Sequence, residues 1–302
     1  MPNKTILVTG ANGQLGSELK AISEHYEDYN FLFVTREELP INDYDLVEAY
    51  FQKNKIDFCI NCAAYTAVDK AETEAEKAFA VNATGASNLA LACAFHKIQF
   101  VHISTDYVFD GTATNPIKED EATSPIGVYG ESKLKGENLI LRIDPTAIII
   151  RTSWVYSSFG NNFVKTMLRL MQEKESINVV ADQIGKPTYA RDLAVAILEI
   201  VEQVNETQLT NNTIFNFSNT GNAISWYEFA CAIKEKINSP CLVNPIPTSA
   251  HPTPAKRPAY SVLDTTKIEE TFSINIPNWE SSLNNCLKIL ASPNPSKGGE
   301  LP

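Results

Sequence analysis

The sequence predicts an α/β protein with a doubly wound, mostly parallel sheet of the Rossmann type, joined to a smaller C-terminal domain. Short apolar runs rich in β-branched residues alternate with helical patterns, which is typical of successive βαβ units. A glycine-rich segment follows the first apolar run directly and precedes the first helical pattern. This order favours an open parallel sheet with helices on both faces.

The alternation continues through most of the chain. Strands are expected near residues 5–9, 31–35, 57–62, 100–104, 147–151 and 214–218. Helices are expected near residues 14–25, 43–53, 72–95, 128–143, 161–175, 191–202, 222–238 and 278–290. The proline-rich stretch 239–258 is expected to form an extended loop over the active site.

The turn after the first apolar run predicts a binding site for nucleotide phosphates. Glycines let the backbone turn tightly and approach a pyrophosphate, and the first amides of the next helix attract its negative charge. Because a strand precedes this turn and a helix follows it, we expect a dinucleotide to bind here. The expected contacts are Gly10, Asn12, Gly13, Gln14, Leu15 and Gly16.

The predicted elements group into two regions and a tail. Residues 1–160, together with about 188–220, are expected to form a dinucleotide-binding domain. Residues 161–187 and 221–290 are expected to form the smaller, substrate-binding region. Residues 291–302, which are rich in Ser, Pro and Gly, are expected to be a flexible tail.

Tyr129 and Lys133 are the strongest candidates for catalytic residues. They are four positions apart, so on a helix they lie on the same face, one turn apart. An ammonium group beside a phenol favours the phenolate, so Lys133 is expected to lower the pKa of Tyr129. The pair therefore predicts a proton donor for a carbonyl group.

Hydroxyl side chains follow the apolar run that ends near residue 103. Ser104 and Thr105 would lie at the carboxyl end of a strand, where open parallel sheets bind ligands. A hydroxyl next to Tyr129 can stabilise developing oxyanion charge, which makes Thr105 a third candidate catalytic residue. A strand cap or turn is an equally open interpretation of Ser-Thr-Asp.

These motifs, in this order, resemble those of the extended short-chain dehydrogenases. Residues 61–72, 104–111, 151–156 and 182–188 are similar, more narrowly, to the dTDP-4-dehydrorhamnose reductase family. The resemblance extends from residue 5 to about residue 290. It implies that the protein reduces the C4 ketone of dTDP-4-dehydro-β-L-rhamnose to form dTDP-L-rhamnose.

The resemblance also implies roles for individual side chains. Tyr129 gives a proton to the ketone oxygen, Lys133 holds the nicotinamide ribose, and Thr105 hydrogen-bonds near the carbonyl. Further cofactor contacts are Ile41, Ala63, Ala64, Tyr65 and Thr66, and the substrate contacts are Val68, Thr105, Asp106, Tyr107, Trp154 and Arg257. Arg257 is the candidate for the substrate diphosphate, because a planar guanidinium binds phosphate in a bidentate manner.

The end of the second predicted strand favours NADPH as the cofactor. NAD enzymes commonly place an acidic side chain there, whereas Arg accommodates the 2′-phosphate of NADP. This chain has Thr35 and Arg36, so Arg36 is a candidate cofactor contact. The adjacent Glu37 and Glu38 leave NADH possible.

Three other functions remain open from the sequence. A reductase or epimerase of another nucleoside-diphosphate ketosugar would carry the same motifs. A 4,6-dehydratase is disfavoured because related dehydratases have Glu after Thr-Asp, where this chain has Tyr107. A non-catalytic NADP-binding subunit, similar to the one that regulates methionine adenosyltransferase, is disfavoured by the intact Thr105, Tyr129 and Lys133.

Composition is consistent with a cytoplasmic enzyme. Of 302 residues, 44% are hydrophobic, and no apolar run is expected to reach the length of a membrane span. The net charge of −11 argues against binding to nucleic acid or to an anionic membrane.

The six cysteines suggest no disulfide framework, which favours a reducing compartment. The expected partner is a small nucleotide-sugar, and the protein is expected to be a monomer or homodimer.

One departure from the family pattern concerns metal binding. Some family members pair their subunits through a magnesium site built from glutamates, one of which matches Glu18. This chain has Arg191 where those members have another Glu. Because a guanidinium cannot ligate a cation, no metal site is expected here.

Overall fold

All six strands expected from the sequence lie in one parallel sheet in the computed structural model, which describes residues 3–204 and 213–292. In sheet order the strands are β10, β5, β4, β3, β1 and β2, and every neighbouring pair is parallel. The strands of the structure are β1 Lys4–Thr9, β2 Tyr29–Val34, β3 Phe58–Asn61, β4 Gln99–Thr105, β5 Ile148–Thr152, β6 Val155–Tyr156, β7 Ser176–Val180, β8 Ile184–Gly185, β9 Thr188–Tyr189, β10 Ile214–Phe217, β11 Ile224–Ser225 and β12 Leu242–Ile246. This confirms the predicted Rossmann-type fold class.

The helices follow the predicted alternation. They are α1 Gln14–Ile22, α2 Tyr44–Lys53, α3 Val68–Ala71, α4 Ala75–Phe79, α5 Ala86–His96, α6 Val128–Ile143, α7 Phe163–Glu173, α8 Ala190–Val204, α9 Trp226–Lys236, α10 Thr266–Phe272 and α11 Trp279–Ala291. The helix expected over 72–95 is divided, because a π-helical turn, Ala80–Gly85, separates α4 from α5. Residues 291–302 were predicted to be a flexible tail; residue 291 ends α11, and 293–302 lie outside the described residues.

The central sheet has a hydrophobic core on each face, because side chains alternate along each strand. In β1, Ile6 and Val8 pack toward α1 and α8, whereas Leu7 packs toward α2 and α5. All three side chains are fully buried. The carboxyl ends of the strands are thereby fixed at a common edge, where the sequence predicted ligand contacts.

A third hydrophobic cluster lies in the C-terminal part of the chain and includes Tyr156, Val164, Phe229 and Leu283. It is bordered by β7 and β12, which pair in parallel. The prediction that residues 239–258 form only an extended loop is therefore wrong over Leu242–Ile246. The alternating pattern of this strand is weak because Asn244 and Pro245 interrupt it, and Pro tolerates an edge strand.

Helix α10 packs differently from its neighbours in sequence. Its residues Ile268 and Phe272 join the core formed by β1, α1 and α8, not the third cluster. The predicted substrate-binding region, 221–290, thus contains a segment that packs beside the central sheet.

The run Ala75–His96 is long and apolar enough, by length and composition alone, for a membrane span. The expectation that no apolar run reaches the length of a membrane span is therefore wrong. In the structure 56% of its most apolar window is buried inside the protein, and α5 packs against α2 and α6. This burial is typical of a core helix.

Candidate active site

The glycine turn has the geometry that a dinucleotide requires. Gly10 has a φ of +68°, and a Cβ atom at this position would lie 2.6 Å from the backbone nitrogen of Ala63. Gly13 caps helix α1 and has no side chain, so the first amides of the helix face a cavity that Gly13 and Gln14 line. These amides can bind a pyrophosphate, so the residues present fit the cofactor that the sequence predicts.

This cavity, of about 540 Å³, runs along the carboxyl ends of β1, β4 and β5. The predicted residues that line it are Asn12, Gly13, Gln14, Leu15, Ala64, Thr66, Val68, Thr105, Asp106, Tyr107, Tyr129, Lys133 and Trp154. Those that lie outside its wall are Gly10, Gly16, Arg36, Ile41, Ala63, Tyr65 and Arg257. Cofactor and substrate candidates therefore share one cavity.

Tyr129 lies at the start of α6, with its ring edge-to-face against Tyr107 at a centroid distance of 5.3 Å. Burial raises the pKa of Tyr129, and the Thr105 hydroxyl opposes this rise. The expectation that Lys133 lowers the pKa of Tyr129 is therefore wrong for the cofactor-free protein. The phenol remains protonated at neutral pH, which is the form that a proton donor needs.

The amino group of Lys133 contacts strand β4. Its Nζ atom donates a hydrogen bond to the Ile103 carbonyl at 2.5 Å and lies 3.2 Å from Nε2 of His102. The side chain is 1% exposed, and burial lowers its pKa to about 8, against the opposing effects of Glu137 and Cys62. These contacts explain why Lys133 does not stabilise a phenolate at Tyr129 here.

A buried ion pair fixes α6 against the sheet. Arg151 on β5 contacts both carboxylate oxygens of Glu137, at 3.0 and 2.7 Å, and Ser104 donates to the same carboxylate at 2.5 Å. Both charged side chains are nearly inaccessible to solvent. Because Glu137 is one turn beyond Lys133, this pair sets the position of the helix that carries Tyr129.

Asn82, in the π-helical turn, connects a predicted cofactor segment to α6. Its Oδ1 accepts a hydrogen bond from the Tyr65 amide at 2.8 Å, and its Nδ2 donates to Ser132 Oγ at 2.9 Å. Gly136 allows the close approach, because a Cβ there would clash with the Asn82 carbonyl. Sequence reasoning missed Asn82, since a continuous helical pattern gives no sign of a wider turn.

Two stacked tryptophan rings line part of the cavity. Trp154 has a φ of +50° and stacks on Trp226, with ring centroids 3.5 Å apart and planes within 10°. Gly185 covers part of Trp154, leaving no room for a Cβ. Trp226 also lines the cavity and was not predicted, because it lies in another part of the sequence.

Arg257 reaches the rim of the cavity from the end of the proline-rich stretch. It forms an ion pair with Asp69 at 2.8 Å and donates to the Tyr107 hydroxyl at 3.2 Å. Tyr107 and Val68, the residue before Asp69, line the cavity. The structure thus places the guanidinium beside the predicted substrate contacts.

Two predicted cofactor contacts lie near the end of β2. Arg36 is exposed and pairs only with the exposed Glu37, at 3.3 Å, among the ion pairs of the described residues. Ile41 is 5% exposed and packs against Gly85 in the hydrophobic core. Arg36 is accessible to a 2′-phosphate, whereas Ile41 can contact a ligand only at its small exposed edge.

Glu18 and Arg191 both lie between α1 and α8, in the interior. Burial raises the pKa of Glu18, while Ser157 and the charge of Arg191 oppose the rise. Over residues 3–204 and 213–292, no group of three or more His, Cys, Asp and Glu side chains could hold a metal ion.

Comparison with known proteins assigns the family. The profile of the RmlD substrate binding domain matches residues 4–292. The chain belongs to this family. A curated dTDP-4-dehydrorhamnose reductase from Aggregatibacter actinomycetemcomitans is 42% identical over 286 residues, spanning 93% of this chain and 97% of that protein.

Solved structures agree with this assignment. A dTDP-4-dehydrorhamnose reductase from Clostridium acetobutylicum superposes with a TM-score of 0.90 at 38% identity, covering 95% of this chain and all of the other. The Bacillus anthracis enzyme, crystallised in complex with NADP, has a TM-score of 0.88 at 38% identity and covers 95% and 99% of the two chains. These family members share the fold over nearly the whole chain.

Asp106 supplies a testable pH dependence. Burial raises its pKa from 3.8 to about 7, against hydrogen bonds from Thr105 and its neighbours. A carboxyl with a raised pKa stabilises the fold fully below pH 4, and this contribution is lost as the pH rises through about 7. We expect Asp106→Asn to gain stability relative to wild type between pH 4 and pH 8, by at most about 4 kcal/mol.

Thermal unfolding of both proteins at several pH values measures this difference. Asn cannot ionise and is similar in size, so the pH dependence isolates the carboxyl. A difference in Tm that stays constant from pH 4 to pH 8 would contradict the ionisation of a buried Asp106.

Proposed function

We propose that this protein is an NADPH-dependent dTDP-4-dehydrorhamnose reductase. It reduces the C4 ketone of dTDP-4-dehydro-β-L-rhamnose to give dTDP-L-rhamnose. The observation that carries the proposal is the single cavity in which the amides of the glycine turn, the Tyr129 phenol and the Trp154 ring are brought together. The family assignment and the NADP-bound relative support the same reaction.

NADPH, when bound, supplies the hydride that reduces the ketone carbon. Tyr129 gives its phenolic proton to the ketone oxygen, so that its O–H bond breaks as the alcohol O–H bond forms. The raised pKa of Tyr129 keeps this proton in place until negative charge develops on the substrate oxygen. The resulting phenolate regains a proton from water in the open part of the cavity.

Other side chains orient the reacting groups. Thr105, which is 4% exposed, accepts a hydrogen bond from the Tyr107 amide and donates to Asp106 Oδ1 at 3.0 Å in the cofactor-free protein. Rotation of the hydroxyl would redirect this proton toward the substrate carbonyl. Lys133 holds the nicotinamide ribose, and Arg36 contacts the 2′-phosphate, which favours NADPH while NADH remains usable. Asp106, Tyr107 and Trp154 contact the sugar, and Val68 lines its pocket.

The proposal extends to organisation and location. The nucleotide-binding domain comprises residues 1–160 and about 188–220, and the substrate-binding region comprises 161–187 and 221–290. All six cysteines are free thiols, which supports a cytoplasmic location. The partner is a nucleotide-sugar, with neither nucleic acid nor membrane, and the protein acts as a monomer or homodimer without a structural metal.

Substrate trials test the proposal directly. With dTDP-4-dehydro-β-L-rhamnose, the NADPH absorbance is expected to fall and dTDP-L-rhamnose to accumulate. A UDP-linked ketosugar serves as the comparison for a reductase of another nucleotide-sugar. NADPH binding without consumption of either ketosugar would instead support a non-catalytic subunit and contradict the proposal.

Arg257 provides a test of the diphosphate contact. We expect Arg257→Ala to raise KM for the nucleotide-sugar about 10- to 100-fold, the loss expected for a charged hydrogen bond of about 1.5–3 kcal/mol. Because the side chain lies outside the cofactor-binding turn, the dissociation constant for NADPH should stay within about twofold of wild type. The neighbouring Lys256→Ala is the matched control, since Lys256 is exposed. An unchanged KM for Arg257→Ala would remove Arg257 from the substrate site.

A further inference from the structure

A continuous buried hydrogen-bond chain leads from Lys133 into the ends of the central strands. Nζ of Lys133 lies 3.2 Å from Nε2 of His102, and Nδ1 of His102 lies 3.0 Å from Nδ2 of Asn61. His102 is fully buried on β4, and Asn61 at the end of β3 is 1% exposed. His102 is not used in the proposed reaction, yet it contacts a candidate catalytic group.

The orientation of the Asn61 amide determines the direction of this chain. Oδ1 of Asn61 accepts hydrogen bonds from the Thr9 hydroxyl at 2.7 Å and from the Ala63 amide at 3.1 Å. A backbone N–H can only donate, so the carbonyl oxygen of the side chain must face Ala63. The NH₂ group of Asn61 therefore faces His102 and donates to Nδ1.

This contact fixes the tautomer of His102. Complete burial holds the pKa of His102 well below its usual value, so the imidazole is neutral whichever form Lys133 takes. A neutral imidazole carries one proton, and Nδ1 is occupied as an acceptor, so the proton lies on Nε2. The Nε2–H group points at Nζ of Lys133.

This geometry favours the neutral amine of Lys133, which a pKa of about 8 leaves about half populated at pH 8. An ammonium group has three donors and no lone pair, so it cannot accept the Nε2–H hydrogen bond. A neutral amine accepts from His102 and at the same time donates to the Ile103 carbonyl. The cofactor-free arrangement is therefore satisfied by an amine and not by an ammonium group.

We propose that His102 is a positioning residue that favours the neutral amine of Lys133 in the cofactor-free protein, and that Lys133 takes up a proton when the dinucleotide binds. The inference rests on the proposed cofactor. The proton comes from the buffer acid and is added to the lone pair of Nζ. Once protonated, Lys133 loses the His102 contact and is free to donate into the cavity that it lines.

The other groups around Lys133 are compatible with this exchange. Glu137 on the same helix favours the ammonium form, but its carboxylate is paired with Arg151. Cys62, from the segment after β3, has a raised pKa and remains a neutral thiol. The phosphates of a bound dinucleotide would add negative charge to the cavity that Lys133 lines, which raises the affinity of Lys133 for a proton.

Calorimetric titration with NADPH at pH 8, in buffers of different ionisation enthalpy, counts the protons taken up on binding. At this pH the 2′-phosphate is fully ionised, and the reduced nicotinamide carries no charge that would favour a phenolate at Tyr129. We expect wild type to take up between about half a proton and one proton per NADPH bound. Lys133→Met is expected to bind NADPH with no uptake.

Two variants distinguish the hydrogen bond that His102 donates to Lys133 from the packing of the His102 side chain. In His102→Asn the shorter amide retains the Asn61 contact but does not reach Lys133, so Lys133 is already charged and uptake should fall below about a quarter of a proton. In His102→Gln the longer amide places an N–H group near the original Nε2 position, and uptake should be restored.

Wild-type binding without proton uptake would overturn the proposal, as would equal uptake in wild type and Lys133→Met. Uptake in a folded His102→Asn that equals that of wild type would also overturn it. If His102→Asn does not fold, the comparison of proton uptake between wild type and Lys133→Met still tests the proposal. Failure of the proposed function gives a different result, namely no NADPH binding at all.

Discussion

Replacing Tyr129 by Phe is expected to lower kcat by about two to four orders of magnitude, the usual contribution of a positioned general acid. Phe keeps the ring that packs against Tyr107, so the cavity wall and the position of α6 are retained. Only the phenolic O–H is lost. The dissociation constant of NADPH should therefore remain within about threefold of wild type, since little binding energy depends on that hydroxyl.

Steady-state kinetics together with NADPH binding measure the two effects separately. Tyr107→Phe is the matched control, because it removes a neighbouring phenol that also lines the cavity. Its hydroxyl accepts a hydrogen bond from Arg257, so its loss should affect KM more than kcat. A Tyr129→Phe enzyme that keeps more than about a tenth of wild-type kcat would contradict the assigned proton donor.

Removing the carboxylate of Glu137 is expected to destabilise the protein by about 3–5 kcal/mol, because the charge of Arg151 would remain buried without its partner. Glu137 accepts hydrogen bonds from Arg151 and Ser104, and Glu137 and Arg151 are 2% and 3% exposed. The substitution Glu137→Ala should also loosen α6 and so lower activity at temperatures below the unfolding transition.

Chemical denaturation of Glu137→Ala measures the loss of stability. The matched control is Glu173→Ala, which breaks an exposed ion pair with Arg169 one turn away on α7. That surface pair should contribute less than about 1 kcal/mol. Similar losses in the two variants would mean that the buried pair does not hold α6 on the sheet.

The central sheet could be predicted because each of its strands is indicated by the residues of that strand alone. The strands around Ile6–Val8 and Ile148–Ile150 are continuous apolar runs, as expected for strands covered on both faces. The glycine turn could be predicted as well, because its backbone takes a positive φ at Gly10, a conformation that favours glycine. Such features can be recognised without knowledge of which segments meet in space.

The missed features depend on contacts between distant segments. Trp226 is 72 positions from Trp154, and no pattern in either segment indicates that the rings stack. The pairing of β12 with β7 was missed for the same reason. Weak local patterns require tertiary partners before they form strands.

The interpretation of Lys133 failed for a chemical reason. Helical spacing correctly placed Lys133 and Tyr129 on one face of α6, and both line the cavity. The sequence did not indicate that His102 and the Ile103 carbonyl would bind the amine from the strand side. Burial then raised the pKa of Tyr129 where a neighbouring ammonium would have lowered it.

Isotope transfer tests the central claim most directly. NADPH that carries deuterium at the transferable position of its nicotinamide is incubated with the enzyme and dTDP-4-dehydro-β-L-rhamnose. Stoichiometric deuterium is expected at C4 of the dTDP-L-rhamnose formed. Product without deuterium at C4, or deuterium at another carbon of the sugar, would contradict hydride transfer to the ketone in this cavity.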